Sequence, residues 1–276
     1  MSEQDAIIEA LGVRPEFDAA TEIEKRTAFL KDYLLSSRQS TYVLGISGGV
    51  DSLTAGLLAQ RAVEELREGG RQATFIAVRL PYGVQADEQD AAAAVAAIRP
   101  DRLVTVDIKP AADSLMEAVL AAGTEPLARH HFILGNVKAR QRMVAQYAIA
   151  GGAAGLVIGT DHAAEALMGF YTKFGDGAAD ILPLAGLNKR RVRRVAAALG
   201  APESLIWKVP TADLESDKPL RPDEDVYGVT YDQIDDFLEG KPVESAARER
   251  ILSFYRTSAH KRTLPVAAND PHPWWR

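Results

Sequence analysis

The sequence predicts an α/β protein: a doubly wound, mostly parallel five-stranded sheet with helices on both faces. Three observations predict it. Short apolar runs at 41–46, 73–78, 103–108 and 156–159 place four of the strands, and stretches of helical periodicity separate them. At 276 residues the chain suits one large domain, 1–276, with helices in 1–38 and 229–276 packing on its core. The third observation is a strand that turns through glycines into a helix, at Gly45-Ile46-Ser47-Gly48-Gly49-Val50-Asp51-Ser52.

In order, residues 3–11 read as a short helix. Thr21-Glu22-Ile23-Glu24 reads as a capping box that opens a helix to about Ser37. Ile23, Leu30 and Leu34 share one face of it, and Tyr33, near that face, reads as core packing. Strand 41–46 feeds the glycine loop and helix 52–67, which stops at Gly69-Gly70. Strand 73–78 ends in the loop Arg79 to Gln85, on the edge where open α/β sheets bind ligands. Helix 87–98, strand 103–108 and helix 111–122 follow. His130 and His131 diverge whether on strand or helix, so they read as loop or surface residues and not as a metal pair.

Helix 135–150 carries Lys138, Arg140 and Arg142 on a solvated basic face. Strand 156–159 runs into Thr160-Asp161-His162-Ala163-Ala164-Glu165, polar residues at a strand's carboxyl end. Phe170 to Gly177, aromatic, charged and glycine-rich, suits a binding loop. Asn188 caps a helix whose Arg190, Arg191, Arg193 and Arg194 read as mostly solvated, while Lys189 in its first turn is placed to reach an anion. Residues 208–228 lack periodicity and read as a lid or a disordered stretch. Helices 230–238 and 243–258 and a basic Ala259-His260-Lys261-Arg262 precede Trp274-Trp275, a tail expected to dock on the body or on a partner subunit.

The glycine loop carries the chemistry. Backbone N–H groups at a strand-to-helix turn, with the helix dipole behind them, suit phosphate. Gly48 and Gly49 remove Cβ atoms from the approach, and Ser47 and Ser52 add hydroxyl donors. Asp51 would repel phosphate unless a cation lay between them, so it reads as a Mg²⁺ ligand. Glu165 can supply a second carboxylate, or be merely a first-turn acid stabilised by its helix. A Walker A loop needs Lys where Asp51 stands, and the dinucleotide fingerprint does not fit the spacing. The plain alternative is a Ser-capped helix after a glycine turn with no ligand. The stretch resembles the loop of the PP-loop ATP pyrophosphatases (adenine nucleotide alpha hydrolase-like fold), which cleave ATP between its α and β phosphates.

Composition narrows the rest. A net charge of −6 argues against bulk nucleic-acid binding. With no cysteine, the chain has no disulfide, thiolate zinc site, iron–sulfur cluster or thiol-dependent glutaminase. The start is acidic without a signal-peptide core, and Tyr147 to Gly159 is too short to span a bilayer. The expectation is a cytoplasmic protein bound to no membrane.

Several stretches together resemble ammonia-dependent NAD⁺ synthetase: Gly45 to Ser52, Gly135 to Arg140, Gly159 to Glu165, Thr172 to Gly177, Pro210 to Leu214 and His260-Lys261-Arg262. The resemblance runs nearly end to end. It implies amidation of deamido-NAD⁺ with ammonia through an acyl-adenylate, with release of AMP and pyrophosphate. It implies ATP contacts from Gly45, Ile46, Ser47, Gly48, Gly49, Val50, Asp51, Ser52, Thr160, Lys189 and Thr211, with Arg79 against the adenine. Asp51 and Glu165 become Mg²⁺ ligands, and Asp51 and Lys189 the catalytic pair, Lys189 as the cation for departing pyrophosphate. Arg140, Lys173, Asp180, His260 and Lys261 become contacts to deamido-NAD⁺. The family is homodimeric with the dinucleotide at the interface, which makes Tyr33 and Tyr147 candidate contacts from the second chain. Loops 81–88 and 208–226 are then expected to close over ATP. Rivals are a guanylate-forming synthetase, a tRNA thiolase and a non-catalytic AMP-binding module.

Overall fold

Strand β1 (Thr41–Gly45) lies inside a parallel sheet of order β3-β2-β1-β4, with β2 at Thr74–Arg79, β3 at Arg102–Thr105 and β4 at Gly155–Val157. These coordinates are a computed structural model, which describes residues 2–84, 87–123, 130–212, 221–263 and 265–268. The tail with Trp274-Trp275 lies outside them. Side chains alternate across the sheet as a period of two requires. Tyr42, Leu44, Phe75 and Ala77 enter one core, and Val43, Ile76 and Val78 enter the other. Both faces are covered over β1 and β2, which read as near-continuous apolar runs, while the edge strand β3 is largely exposed, Leu103 at 52%.

Helices α1 (Glu3–Ala10) and α2 (Ala19–Ser36) precede β1, and α3 (Val50–Glu68) follows it. Next come α4 (Glu88–Ile98), α5 (Lys109–Ala121), α6 (His130–Gly152), α7 (Ala163–Met168), α8 (Lys189–Ala198) and α9 (Glu203–Ile206). The first large core joins α2, α3, α4 and α8 to one face of the sheet. On the other face lie Ile108, at the start of α5, and residues of α6. A satellite core joins α1 and α7 to α11 (Tyr231–Leu238) and α12 (Ser245–Thr257), with Tyr227 from α10 (Asp223–Tyr227) between them. Two short antiparallel strands, β5 (Thr211–Ala212) and β6 (Arg221–Pro222), flank residues 213–220, which lie outside the described set together with 85–86. Among the described residues no helix is long and apolar enough to cross a membrane.

Several expectations need correction. The parallel sheet has four strands among the described residues, not five. A fifth is reduced to one bridge, Ile158 to Ile181, beside β4. Gly159 N–H donates to Ile181 there, and Pro183, two residues on, has no N–H to continue the ladder. Helix α2 starts at Ala19 because the Asp18 carboxylate takes the Thr21 N–H at 2.8 Å, and so the Thr21-Glu24 capping box does not form. His130 and His131 open α6 and are not loop residues. Tyr33 is half-exposed beside Phe29 rather than packed in the core. The arginines of α8 are largely engaged. Arg190 pairs with Asp232, Asp236 and Glu239 of the α11 region, and buried Arg191 binds the carbonyls of Arg14 and Pro15.

One glycine decides how α4 meets the sheet. Gly48 has φ +85°, and a Cβ on it would lie 2.6 Å from the backbone nitrogen of Ala91 in α4. Gly12 also has positive φ, +66°, but open space around it. Gly48→Ala is therefore expected to lower stability by about 2–4 kcal/mol through strain and overlap, and Gly12→Ala by only about 1 kcal/mol. Urea denaturation of both variants checks this; equal losses would remove the packing role of Gly48.

Candidate active site

The strand order reverses between β1 and β4, and open sheets bind ligands in the crevice outside the carboxyl ends at such a point. A cavity of about 330 Å³ opens there. The loop after β1 lines it with Gly45, Ile46, Ser47, Gly49, Val50, Asp51 and Ser52. Thr160 and Glu165 enter after β4, Arg79 from the end of β2, Lys189 from α8 and Thr211 from β5. Gly48 does not line it, being turned to α4. Every other residue expected at ATP or at the metal does.

The two helices that begin at the cavity differ at their N-termini. Gly49 caps α3 without a side-chain bond, which leaves first-turn N–H groups free for an anion. The start of α8 is closed by protein. Asn188 accepts the Arg191 N–H, and the buried carboxylate of Asp235 accepts the N–H groups of Lys189 and Arg190 at 3.0 and 2.7 Å. What α8 offers the cavity is the Lys189 side chain. Its ammonium is only 2% exposed and donates to Asp51 Oδ2 at 2.7 Å.

Asp51 Oδ1 is buried without a hydrogen-bond partner, as are both ring nitrogens of His162. His162 Nε2 lies 3.4 Å from Asp51 Oδ1 and 3.7 Å from Glu165 Oε1. One donor atom from each of Asp51, His162 and Glu165 falls within 4.8 Å of the others. Asp51 and Glu165, the former with an unpartnered oxygen, form a donor set that would suit a hard cation such as magnesium, beside first-turn N–H groups left free for an anion. Burial opposes ionisation of Asp51, but the Lys189 ammonium and His162 outweigh it and hold the carboxyl well below the usual range. Burial raises Glu165, and the Asp51 charge adds to the rise although His162 opposes it. Burial likewise raises Asp161, with Asp176 and Asp51 adding repulsion.

The residues expected at deamido-NAD⁺ gather outside this cavity, in two groups. Arg140 donates to the carbonyl of Lys173, Lys173 to that of His260, and Lys261 to those of Gly169 and Tyr171 at 2.8 and 2.7 Å. The second group is Asp180 and Tyr147, 3.5 Å apart, with Asp180 also accepting the Val157 N–H. Tyr33 lies close enough to Tyr147 to raise its phenol, after burial and Asp180, to about 12.

A profile of the NAD synthase family matches residues 22–265. The chain belongs to the NAD synthase family. The NH(3)-dependent NAD(+) synthetase of Burkholderia cenocepacia is 62% identical over 271 residues, 98% of this chain and 96% of the relative. The crystal structure of NAD⁺ synthetase from Burkholderia pseudomallei is 57% identical, with a TM-score of 0.82, covering 95% of this chain and 96% of that one. The NMN synthetase of Francisella tularensis is 36% identical, with a TM-score of 0.80, covering 92% of this chain and all of that one.

Sequence reasoning gave no role to several residues at or behind the cavity wall of this family member. His162 was visible inside the polar run after strand 156–159, but not its placement between two carboxylates. Gln146 accepts the Gly45 N–H at 2.7 Å from α6, and Asp223 enters from α10. Both are long-range contacts with no local signal. Replacing Lys189 by Met leaves Asp51 a charge without its partner, and a loss of about 2–4 kcal/mol is expected for a pair at the wall of an open cavity. With Asp51→Asn added, the double variant should lose less than the sum of the single variants. Strict additivity in urea denaturation would contradict the coupling.

Proposed function

We propose that the chain amidates deamido-NAD⁺ to NAD⁺ with ammonia, with ATP cleaved to AMP and pyrophosphate. One observation carries this reading: a glycine loop with free first-turn N–H groups, two carboxylates and a buried lysine converge on a cavity at the sheet's switch point. The names of the Burkholderia relatives agree with it.

The chemistry follows from the acceptor. A carboxylate is a poor acyl donor because oxide cannot leave. Its oxygen therefore attacks the α-phosphorus of ATP, the bond to the bridging oxygen breaks, and pyrophosphate departs. Ammonia nitrogen then bonds to the acyl carbon, AMP leaves with the C–O electron pair, and nitrogen loses a proton to solvent. Both steps ask chiefly for positioning and charge neutralisation. The free N–H groups of α3 and the loop hydroxyls hold phosphate, and Lys189 faces the charge that develops on pyrophosphate. Thr160, Thr211 and Arg79 contact the nucleotide. Asp51 and Glu165 hold magnesium, which supplies neutralising charge for the phosphates when bound. Arg140, Lys173, Asp180, His260 and Lys261 hold the dinucleotide, with Tyr33 and Tyr147 reaching it across a homodimer interface. Half-exposed apolar side chains on α2 and α6, Phe29, Phe132 and Val144 among them, support such an interface. The expected closure of loops 81–88 and 208–226 over ATP falls in part on residues 85–86 and 213–220, outside the described residues. With no cysteine the chain holds no thiol-dependent glutaminase of its own, so the nitrogen reaches it as ammonia, free or released by a separate glutaminase subunit.

Purified protein with Mg-ATP, deamido-NAD⁺ and ammonium should form NAD⁺ and AMP in equal amounts. Asp51→Asn should lose at least about 100-fold in rate, since a pre-organised charge contact at the reacting phosphates is removed. AMP formed only with a mononucleotide acceptor would move the reading towards the Francisella enzyme. A second expectation concerns magnesium. Burial keeps Glu165 protonated to about pH 8, so binding must displace a proton. Magnesium affinity measured by calorimetry should rise with pH from about 6 to 8, with proton release near neutrality; a flat profile would remove Glu165 from the ligand set.

A further inference from the structure

The first turn of α4 lies against the phosphate loop, where the Ala91 nitrogen leaves no room for a Cβ on Gly48. Two acids of that turn hold two cations that line the cavity. Glu88 takes Arg79 with both carboxylate oxygens, at 3.1 and 2.7 Å. Asp90 takes the Lys208 ammonium at 2.7 Å. Arg79 and Lys208 are both among the residues around the cavity, and Lys208 stands three residues before Thr211. We propose that Lys208 is a further binding residue for the polyphosphate of the nucleotide, and that Asp90 is its competing partner within the chain. The inference rests on the cavity being the ATP site.

The contrast with Lys189 shows why. Lys189 is enclosed and its pair with Asp51 is shut off from solvent on the lysine side, so it has no freedom to change partners. The Lys208–Asp90 pair has side-chain exposures of 22% and 44%. A pair so solvated is nearly neutral in free energy and exchanges readily. A magnesium-bound triphosphate brings several charges to the same opening, where the low dielectric of a closing cavity strengthens each contact. Lysine suits the task, as a flexible point charge that can turn from a carboxylate to a phosphate without moving its backbone. Among the described residues the acid paired with the Lys208 ammonium is Asp90 of α4. Asp87, just before α4, and Asp223 of α10 also line the cavity, and Arg79 is paired with Glu88.

Two roles for Lys208 make opposite predictions. A lysine that only ties residues 207–210 to α4 should respond alike to loss of either partner. A phosphate ligand restrained by Asp90 should respond in opposite senses. Mg-ATP and Mg-pyrophosphate binding to the full chain should be measured by calorimetry, with KM for ATP alongside, for the unaltered protein, Lys208→Met, Asp90→Asn and the double variant. The expected result is about a tenfold weaker affinity for both ligands in Lys208→Met and about threefold tighter binding in Asp90→Asn. The double variant should match Lys208→Met, because Asp90 acts only through the lysine. Unchanged affinity in Lys208→Met, or equal weakening in both single variants, overturns the proposal while leaving the ATP site standing. Absence of Mg-ATP binding to the unaltered protein overturns the ATP site itself, and this inference with it.

Discussion

The ion pair between Asp51 and Lys189 is the interaction on which the site depends. It joins the first turn of α3 to the first turn of α8, 138 residues apart. A lysine 2% exposed cannot keep its charge in such a place without a carboxylate beside it. A lysine in the first turn of a helix is also opposed by the helix dipole. Asp235 answers that second problem, since its carboxylate sits on the N–H groups of Lys189 and Arg190. Arg190 then binds three acids of the α11 region, which fixes the rotation of α8 against α11. The cation is thus set before any ligand arrives, and pre-set charge is what stabilises a developing anion without reorganisation.

The satellite core explains why a Rossmann-like sheet alone would not make this site. Helix α7 carries Glu165 and is only six residues long, too short to hold its own shape in water. It is kept by burial of Ala163, Ala164, Leu167 and Met168 against α11 and α12. The start of α7 is tied to the α8 approach by the Ala163 N–H on the Leu187 carbonyl at 2.7 Å. The chain's first and last thirds therefore position one carboxylate. The same C-terminal elements bring Lys261 onto the carbonyls of Gly169 and Tyr171 and Arg262 onto those of Ala166 and Tyr255. The cavity sits on the sheet, and the cap holds the loop beside it.

What could be read in the sequence was what depends on neighbours in the chain. A strand that turns through glycines into a helix declares itself locally, and so do runs buried on both faces. The position of the cavity followed, because a parallel sheet opens a crevice at the carboxyl ends of its strands. Contacts between distant segments could not be read. Nothing near Asp235 signals that it caps a helix 46 residues earlier. The arginines of α8 look solvated as a sequence because their acids lie on another helix. Gly48 looks like one more phosphate-loop glycine, yet what requires it is a backbone atom of α4. The false capping box has a similar cause. Thr21 and Glu24 have the right spacing, but Asp18 reaches the Thr21 N–H first and moves the helix start upstream.

The cavity also bears the mark of a site built against stability. Asp51 Oδ1, both nitrogens of His162 and Asp223 Oδ1 are buried polar atoms without hydrogen bonds, and they belong to residues grouped electrostatically around Lys189 and Glu165. Each such atom costs about 1–3 kcal/mol relative to a satisfied one, and a fold selected for stability alone would have removed them. Their charge balance is uneven as well. Asp51, Asp161, Glu165, Asp176 and Asp223 crowd a region in which Lys189 is the buried cation that ties to Asp51; burial opposes ionisation of all five, and in every one but Asp51 it prevails. Such an arrangement is stable only in part by its own contacts. It suits the metal-bound phosphate proposed for the cavity, which would bring positive charge and accept from N–H donors together, better than a lone cation or a lone anion.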